Sequence, residues 1–192
     1  MSKYQYSVVG IGNAIVDVIG QCDDDFLVRH GASKGHMHLV DAQTVSKLYS
    51  EMGPAVEISG GSAANTIVGI ASFGSRTAFI GKIADDEFGK IFKHDIRSAG
   101  VTFKSKEISG KEPTSRSLIL VTPDGERTMN TFLGISTRIE EEDIDADLVK
   151  ASEILYLEGY LFDQPQAKKA FFQALNFASK ASTKVALTLS DS

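Results

Sequence analysis

The chain has 192 residues, 42% of them apolar and 23% charged, with a net charge of −5. That length and balance describe one globular domain with a core of its own, and the acidic surplus argues against nucleic acid as a partner. A single cysteine, Cys22, excludes an internal disulfide framework and fits a reducing compartment. No apolar run approaches the length of a membrane span and no signal-peptide pattern is present, so a cytoplasmic protein with no membrane partner is the expectation.

Tyr6 to Gly12 reads as a short buried strand that ends in Gly10-Ile11-Gly12-Asn13. This is not a dinucleotide fingerprint, because Ile15 stands where the third glycine belongs. Asn13 and Asp17 follow at the strand exit, where parallel sheets bind ligands. On the residues alone they lean towards a turn amide and a solvated carboxylate. Asp23-Asp24-Asp25 caps a short helix running to His30. His36 to Val40 alternates as a strand, which puts His36 and His38 on one face, and no third metal ligand stands near them. Asp41 caps a helix to about Met52, with Val45, Leu48 and Met52 on one side.

Val56 and Ile58 then lead into Gly60-Gly61, and a helix of small residues opens at Ser62 with Asn65 in its first turn. Two glycines at a strand-to-helix junction let backbone N–H groups approach a group outside the chain, at the positive end of a helix dipole. Thr77 to Ile80 is a strand, followed by Gly81, Asp85-Asp86 and Gly89. Asp85 to Ala99 is an amphipathic helix with Phe88, Ile91, Phe92 and Ile96 inward, its acidic start complementing the dipole and Gly100 its cap. Neither Gly69 to Gly74 nor the Gly89-Lys90 step completes a P-loop.

Val101 to Lys106, Thr114 to Val121 and Arg127 to Phe132 are strands that interrupt the strand-helix alternation, the last two joined by a Pro-Asp-Gly turn. With the strand near His36 they predict a small β-sheet lid, with Arg127 on its rim. Asp143 to Lys150 is a short helix and Glu153 to Leu157 a strand ending in Glu158-Gly159-Tyr160. Gln166 to Ala181 is a helix and Lys184 to Leu189 a further buried strand. Tyr160 and Phe162 read equally as core packing and as an aromatic wall.

The spaced series Gly60-Gly61, Ala63, Asn65, Gly74, Gly81, Asp86 and Gly89 closely resembles the first signature of the ribokinase/PfkB family of carbohydrate and nucleoside kinases. The segment from Pro113 to Gly134 is similar to that family's lid hairpin. The resemblance covers essentially the whole chain. It implies an α/β fold: a parallel sheet flanked by helices, with lid strands from about 14–22, 36–40 and 101–132. It also implies transfer of the γ-phosphoryl of ATP, with Mg2+, to an acceptor CH2–OH. The acceptor would be oriented by Asn13, Asp17, Gly60, Gly61, Asn65 and Tyr160. The family's Asn-x-x-Glu and Gly-Ala-Gly-Asp motifs, which carry the magnesium link and the general base, are not in these residues. This reading places the C-terminal half outside the chain and predicts that the chain alone is inactive.

The opening Gly-Asn-x-x-x-Asp and the aromatic segment at Tyr160 look most like the adenosine-kinase-like branch. Ribose or a ketosugar acid is the alternative acceptor. A relative that binds a nucleoside or sugar without phosphorylating it is a second class, and a Rossmann-like dinucleotide binder a third. A homodimer formed through the lid is an open option.

Overall fold

A computed structural model describes residues 3–110 and 112–190. In chain order these form β1 (Tyr6–Ile11), β2 (Ile15–Gln21), α1 (Asp24–Arg29), β3 (Met37–Leu39), α2 (Ala42–Glu51) and β4 (Ala55–Gly60). Then come α3 (Ser62–Ser72), β5 (Thr77–Ile80), β6 (Ile83–Ala84), α4 (Glu87–Ser98), β7 (Thr102–Phe103) and β8 (Glu107–Ile108). The remainder is β9 (Ser115–Val121), β10 (Arg127–Phe132), α5 (Ala146–Lys150), β11 (Ser152–Glu158), α6 (Pro165–Ala181) and β12 (Lys184–Thr188). Short 3-10 turns occupy Gly134–Arg138, Glu141–Asp143 and Gly159–Asp163.

The larger sheet is wholly parallel, in the order β12-β11-β1-β5-β7. Side chains alternate across it, so one strand feeds two cores. Val8 and Phe79 point into the first, with Ile67 of α3 and Phe92 and Ile96 of α4. Val9, Ile11, Ala78, Ile80, Leu155 and Leu157 point into the second, under Leu148 of α5 and Phe171 of α6. Cover on both faces is why β1, β5 and β11 read as continuous apolar runs rather than alternating ones. β12, expected to be buried, instead lies exposed at the sheet edge, with Val185 47% and Leu187 52% exposed.

A second sheet has the order β3-β10-β9-β2-β4. Its inner face, Val16, Val18, Leu118 and Leu120, joins the first core beside Phe26 and Val45. On its other face a row runs from Ile58 through Asp17 and Ser117 to Thr131 and Leu39, set by the pairing register. Met37, Leu39, Val56 and Ile58 lie exposed along its two edge strands.

Two expectations about this sheet are corrected. Val101 to Lys106 does not join it: Thr102–Phe103 is the edge of the large parallel sheet, because Phe103 is buried against Phe79 and Phe92. The strand before the glycine pair, to which the sequence assigns no sheet, lies antiparallel to β2. The strand near His36 begins only at Met37, so the two histidines do not share a strand face. Instead they hold the preceding turn, with His36 Nδ1 2.8 Å from Lys34 O and His38 Nε2 3.1 Å from Ser33 N.

Four helices open on an aspartate whose carboxylate accepts from the first turn: Asp23 from Phe26, Asp41 from Thr44, Asp86 from Gly89 and Asp145 from Leu148. Asp86 also accepts from the Thr114 N–H. No described helix is long and apolar enough to cross a membrane.

Candidate functional site

α3 differs from the four aspartate-capped helices. Its cap position is Gly61, at φ 99°, which brings no side chain to the free N–H groups. The cap comes from a residue remote in the chain. Glu158, at the carboxyl end of β11 and only 1% exposed, accepts from the Ala63 N–H at 3.1 Å and from the Ser62 hydroxyl. The same carboxylate accepts from Asn13 N at 2.6 Å and Asn13 Nδ2 at 3.0 Å. Asn13 Oδ1 in turn lies 2.8 Å from Ser136 Oγ. One buried charge thus joins the exits of β1 and β11 to the start of α3, and charge-assisted bonds of this kind are the strong ones.

The glycines here are spatial requirements. A Cβ on Gly12 would lie 2.6 Å from that of Ala63 and 2.9 Å from Glu158 Oε2. One on Gly61 would strike the Asn13 carbonyl, and the positive φ disfavours a side chain in any case. Gly60 lies against the carboxylate of Asp17.

Asp17 is half-buried on β2, facing away from the core. Its carboxylate accepts no hydrogen bond from any described residue. Burial pushes it up to about 6, against the opposing pull of the Arg127 guanidinium. Beside it on β9, the Ser117 hydroxyl lies 2.8 Å from that of Thr131. The result is a partly desolvated acceptor group in a polar row, with apolar side chains at both ends of the row.

The structure therefore brings Asn13, Asp17, Gly60 and Gly61 together, and gives them different surroundings. Asn13 is buried with its amide turned inward to Glu158 and Ser136, so it supports the loop. Asn65 is exposed in the first turn of α3, its side chain without a partner among the described residues. Tyr160 is 47% exposed in the turn that follows Glu158, and Phe162, 45% exposed, has Lys168 Nζ 5.1 Å above its ring. Of the first N–H groups of α3, which the sequence aims at a group outside the chain, that of Ala63 is taken instead by Glu158. Sequence reasoning passed over Glu158, although a glutamate ending the apolar run Ile154 to Leu157 is itself a signal.

Residues 39–192 match the model of the pfkB family carbohydrate kinases. The chain belongs to that family. It is similar to the adenosine kinase of Sinorhizobium meliloti: 52% identity, TM-score 0.88, covering 97% of this chain and 57% of that one. It is also similar to a probable sugar kinase of Rhizobium etli CFN 42: 46% identity, TM-score 0.88, covering 98% of this chain and 57% of that one. Among curated relatives, the guanosine-inosine kinase of Escherichia coli K12 is 26% identical over 193 residues, covering 95% of this chain and 44% of that protein. This pfkB-family chain thus spans less than two thirds of the proteins it matches. Its α/β architecture, a parallel sheet flanked by helices, is the ribokinase-like fold of those kinases.

The described residues present no ready-made metal cluster. Among them no three His, Cys, Asp or Glu side chains gather so as to hold a metal ion. At the α3 N-terminus, an obvious cradle for phosphate, the Glu158 carboxylate takes the Ala63 N–H.

Proposed function

We propose that the protein is an ATP-dependent phosphotransferase acting on the CH2–OH of a nucleoside, adenosine first, and that this chain supplies the acceptor side. The observation that carries the reading is the Asp17 carboxylate, unpaired among the described residues, partly desolvated and adjacent to Gly60. An ionised carboxylate with free lone pairs binds vicinal hydroxyls as charge-assisted acceptor. Its worth rises where water is thinned, and the glycine leaves room for a sugar ring to approach. In this reading Asp17 and Asn65 grip hydroxyls, Gly60 and Gly61 admit the ring, and Asn13 holds the loop behind them. ATP and Mg2+ are not assigned to described residues of this chain, and what its residues contribute is orientation of the nucleophile.

The likeness to an adenosine kinase at 52% identity, with aromatics exposed at Tyr160 and Phe162, supports a purine acceptor. The likeness to a probable sugar kinase at 46% supports a free sugar as the second reading. The exposed Met37, Leu39, Val56 and Ile58 support a homodimer through the second sheet. A cytoplasmic location fits a supply of ATP.

The test is an ATP-coupled assay of the full-length protein with adenosine and ribose. Asp17→Ala is expected to raise the acceptor KM at least about tenfold and leave the KM for ATP nearly unchanged. An unchanged acceptor KM sinks the assignment. Tyr160→Ala is expected to impair adenosine far more than ribose, and equal effects would favour the sugar.

A further inference from the structure

Two carboxylates from distant parts of the chain bracket the glycine pair. Glu158 holds the C-terminal side through Ser62 and Ala63. On the N-terminal side, Asp95 of α4 accepts from both the backbone N–H and the hydroxyl of Ser59, each at 2.7 Å and through the same Oδ2. Ser59 directly precedes Gly60, the residue that abuts Asp17.

We infer that Asp95 is a positioning residue for the acceptor site, acting through Ser59; this rests on the reading of Asp17 and the glycine pair as acceptor-binding. Asp95 is not placed to touch the acceptor. Ser59 pairs with Val16 and belongs to the inner face of the second sheet, whereas Asp17 pairs with Ile58 on the outer face. What Asp95 does is mechanical. β4 is an edge strand, so one row of its backbone N–H groups lacks a neighbouring strand. Two glycines in succession are the most flexible link a chain can contain. An edge strand running into such a link would sample many positions of Gly60 relative to Asp17. Anchoring the strand at Ser59 and the helix at Ser62 confines that segment before the acceptor arrives, so less ordering is left for binding to supply. Asp95 uses one charge to satisfy both donors of Ser59, which a capping serine or a water could not do with equal strength.

The experiment is steady-state kinetics of the full-length protein, wild type against Asp95→Ala, Asp95→Asn and Ser59→Ala, with thermal melting of each. Asp95→Ala is expected to raise the acceptor KM about tenfold while the KM for ATP moves less than about twofold. Asp95→Asn, which keeps an oxygen able to accept both bonds, is expected to recover most of the loss. Ser59→Ala removes the hydroxyl bond alone and is expected to give about a threefold rise, which carries the test where Asp95→Ala does not fold. A folded Asp95→Ala, or failing that Ser59→Ala, with wild-type acceptor KM overturns the inference. So does a rise in both KM values together. A wild-type protein that phosphorylates neither nucleosides nor sugars overturns the functional reading itself, and the inference with it.

Discussion

The carboxylate of Asp17 occupies the space that a side chain on Gly60 would need: a Cβ built there would lie 2.7 Å from Asp17 Oδ1, with Oδ2 closer still. The two residues stand on neighbouring antiparallel strands, so a fixed register holds the acidic group against bare backbone. Gly60→Ala should therefore act by displacing Asp17. The expected results are a loss of about 1–3 kcal/mol of stability from overpacking and a marked rise in the acceptor KM. A double-mutant cycle checks the cause: in an Asp17→Gly background the stability cost of Gly60→Ala should largely vanish, because the clash has lost its partner.

Asp17 also sets a pH dependence whose sign can be worked out. Its folded value of about 6 lies above the ordinary 3.8, so the folded chain holds this proton more tightly than the unfolded one. Stability should fall as pH rises from about 4 to 6, and the cost should persist at neutral pH, at most about 3 kcal/mol from this group. Asp17→Asn removes the term. Melting curves should show the variant more stable than wild type at pH 7, with the gap closing towards pH 4. Acceptor binding should run the other way, weakening as pH drops through 6 and the carboxylate becomes neutral. A parallel pH response of the two proteins would show that Asp17 does not titrate in this window.

Removal of Glu158 leaves the Asn13 and Ala63 N–H groups buried without a partner. Each such group costs about 1–3 kcal/mol, so Glu158→Ala should lose several kcal/mol in urea unfolding. Glu158→Gln keeps one acceptor oxygen and should lose roughly half as much. Equal losses would mean that shape, and not hydrogen bonding, is what Glu158 supplies.

Arg116 is buried between α2 and α4, its guanidinium 4.7 Å above the Phe88 ring and donating to Ser46 Oγ, and its Nε has no hydrogen-bond partner among the described residues. Burial holds its pKa below the ordinary arginine value. A buried cation that no carboxylate contacts among the described residues is weak support for a fold. Arg116→Met, similar in length and apolar, should leave the melting temperature unchanged or raise it. Arg116→Ala should lower it through the cavity left behind. A large loss with methionine would show that the charge itself matters.

Local chemistry alone settled a good deal. Asp23, Asp41 and Asp86 announce their helices because a capping carboxylate acts within three residues of itself. The parallel sheet was legible because strands covered on both faces must be apolar throughout, and Pro123-Asp124-Gly125 marked the hairpin of the second sheet. The glycine spacing from Gly60 to Gly89 carried the family. Tertiary structure decided what pairing decides. Thr102–Phe103 changed sheets relative to expectation and Ala55–Gly60 found its neighbour in β2, since a strand's sequence specifies its faces but not its neighbour. It decided also that Glu158, 95 residues from Ala63, caps α3, and that Asp95 reaches back to Ser59. Such bonds bring together residues remote in the chain, and no periodicity or local motif encodes them. The residues proposed to face an acceptor were visible in the sequence; the carboxylates that hold their neighbours in place appear only when the chain is folded.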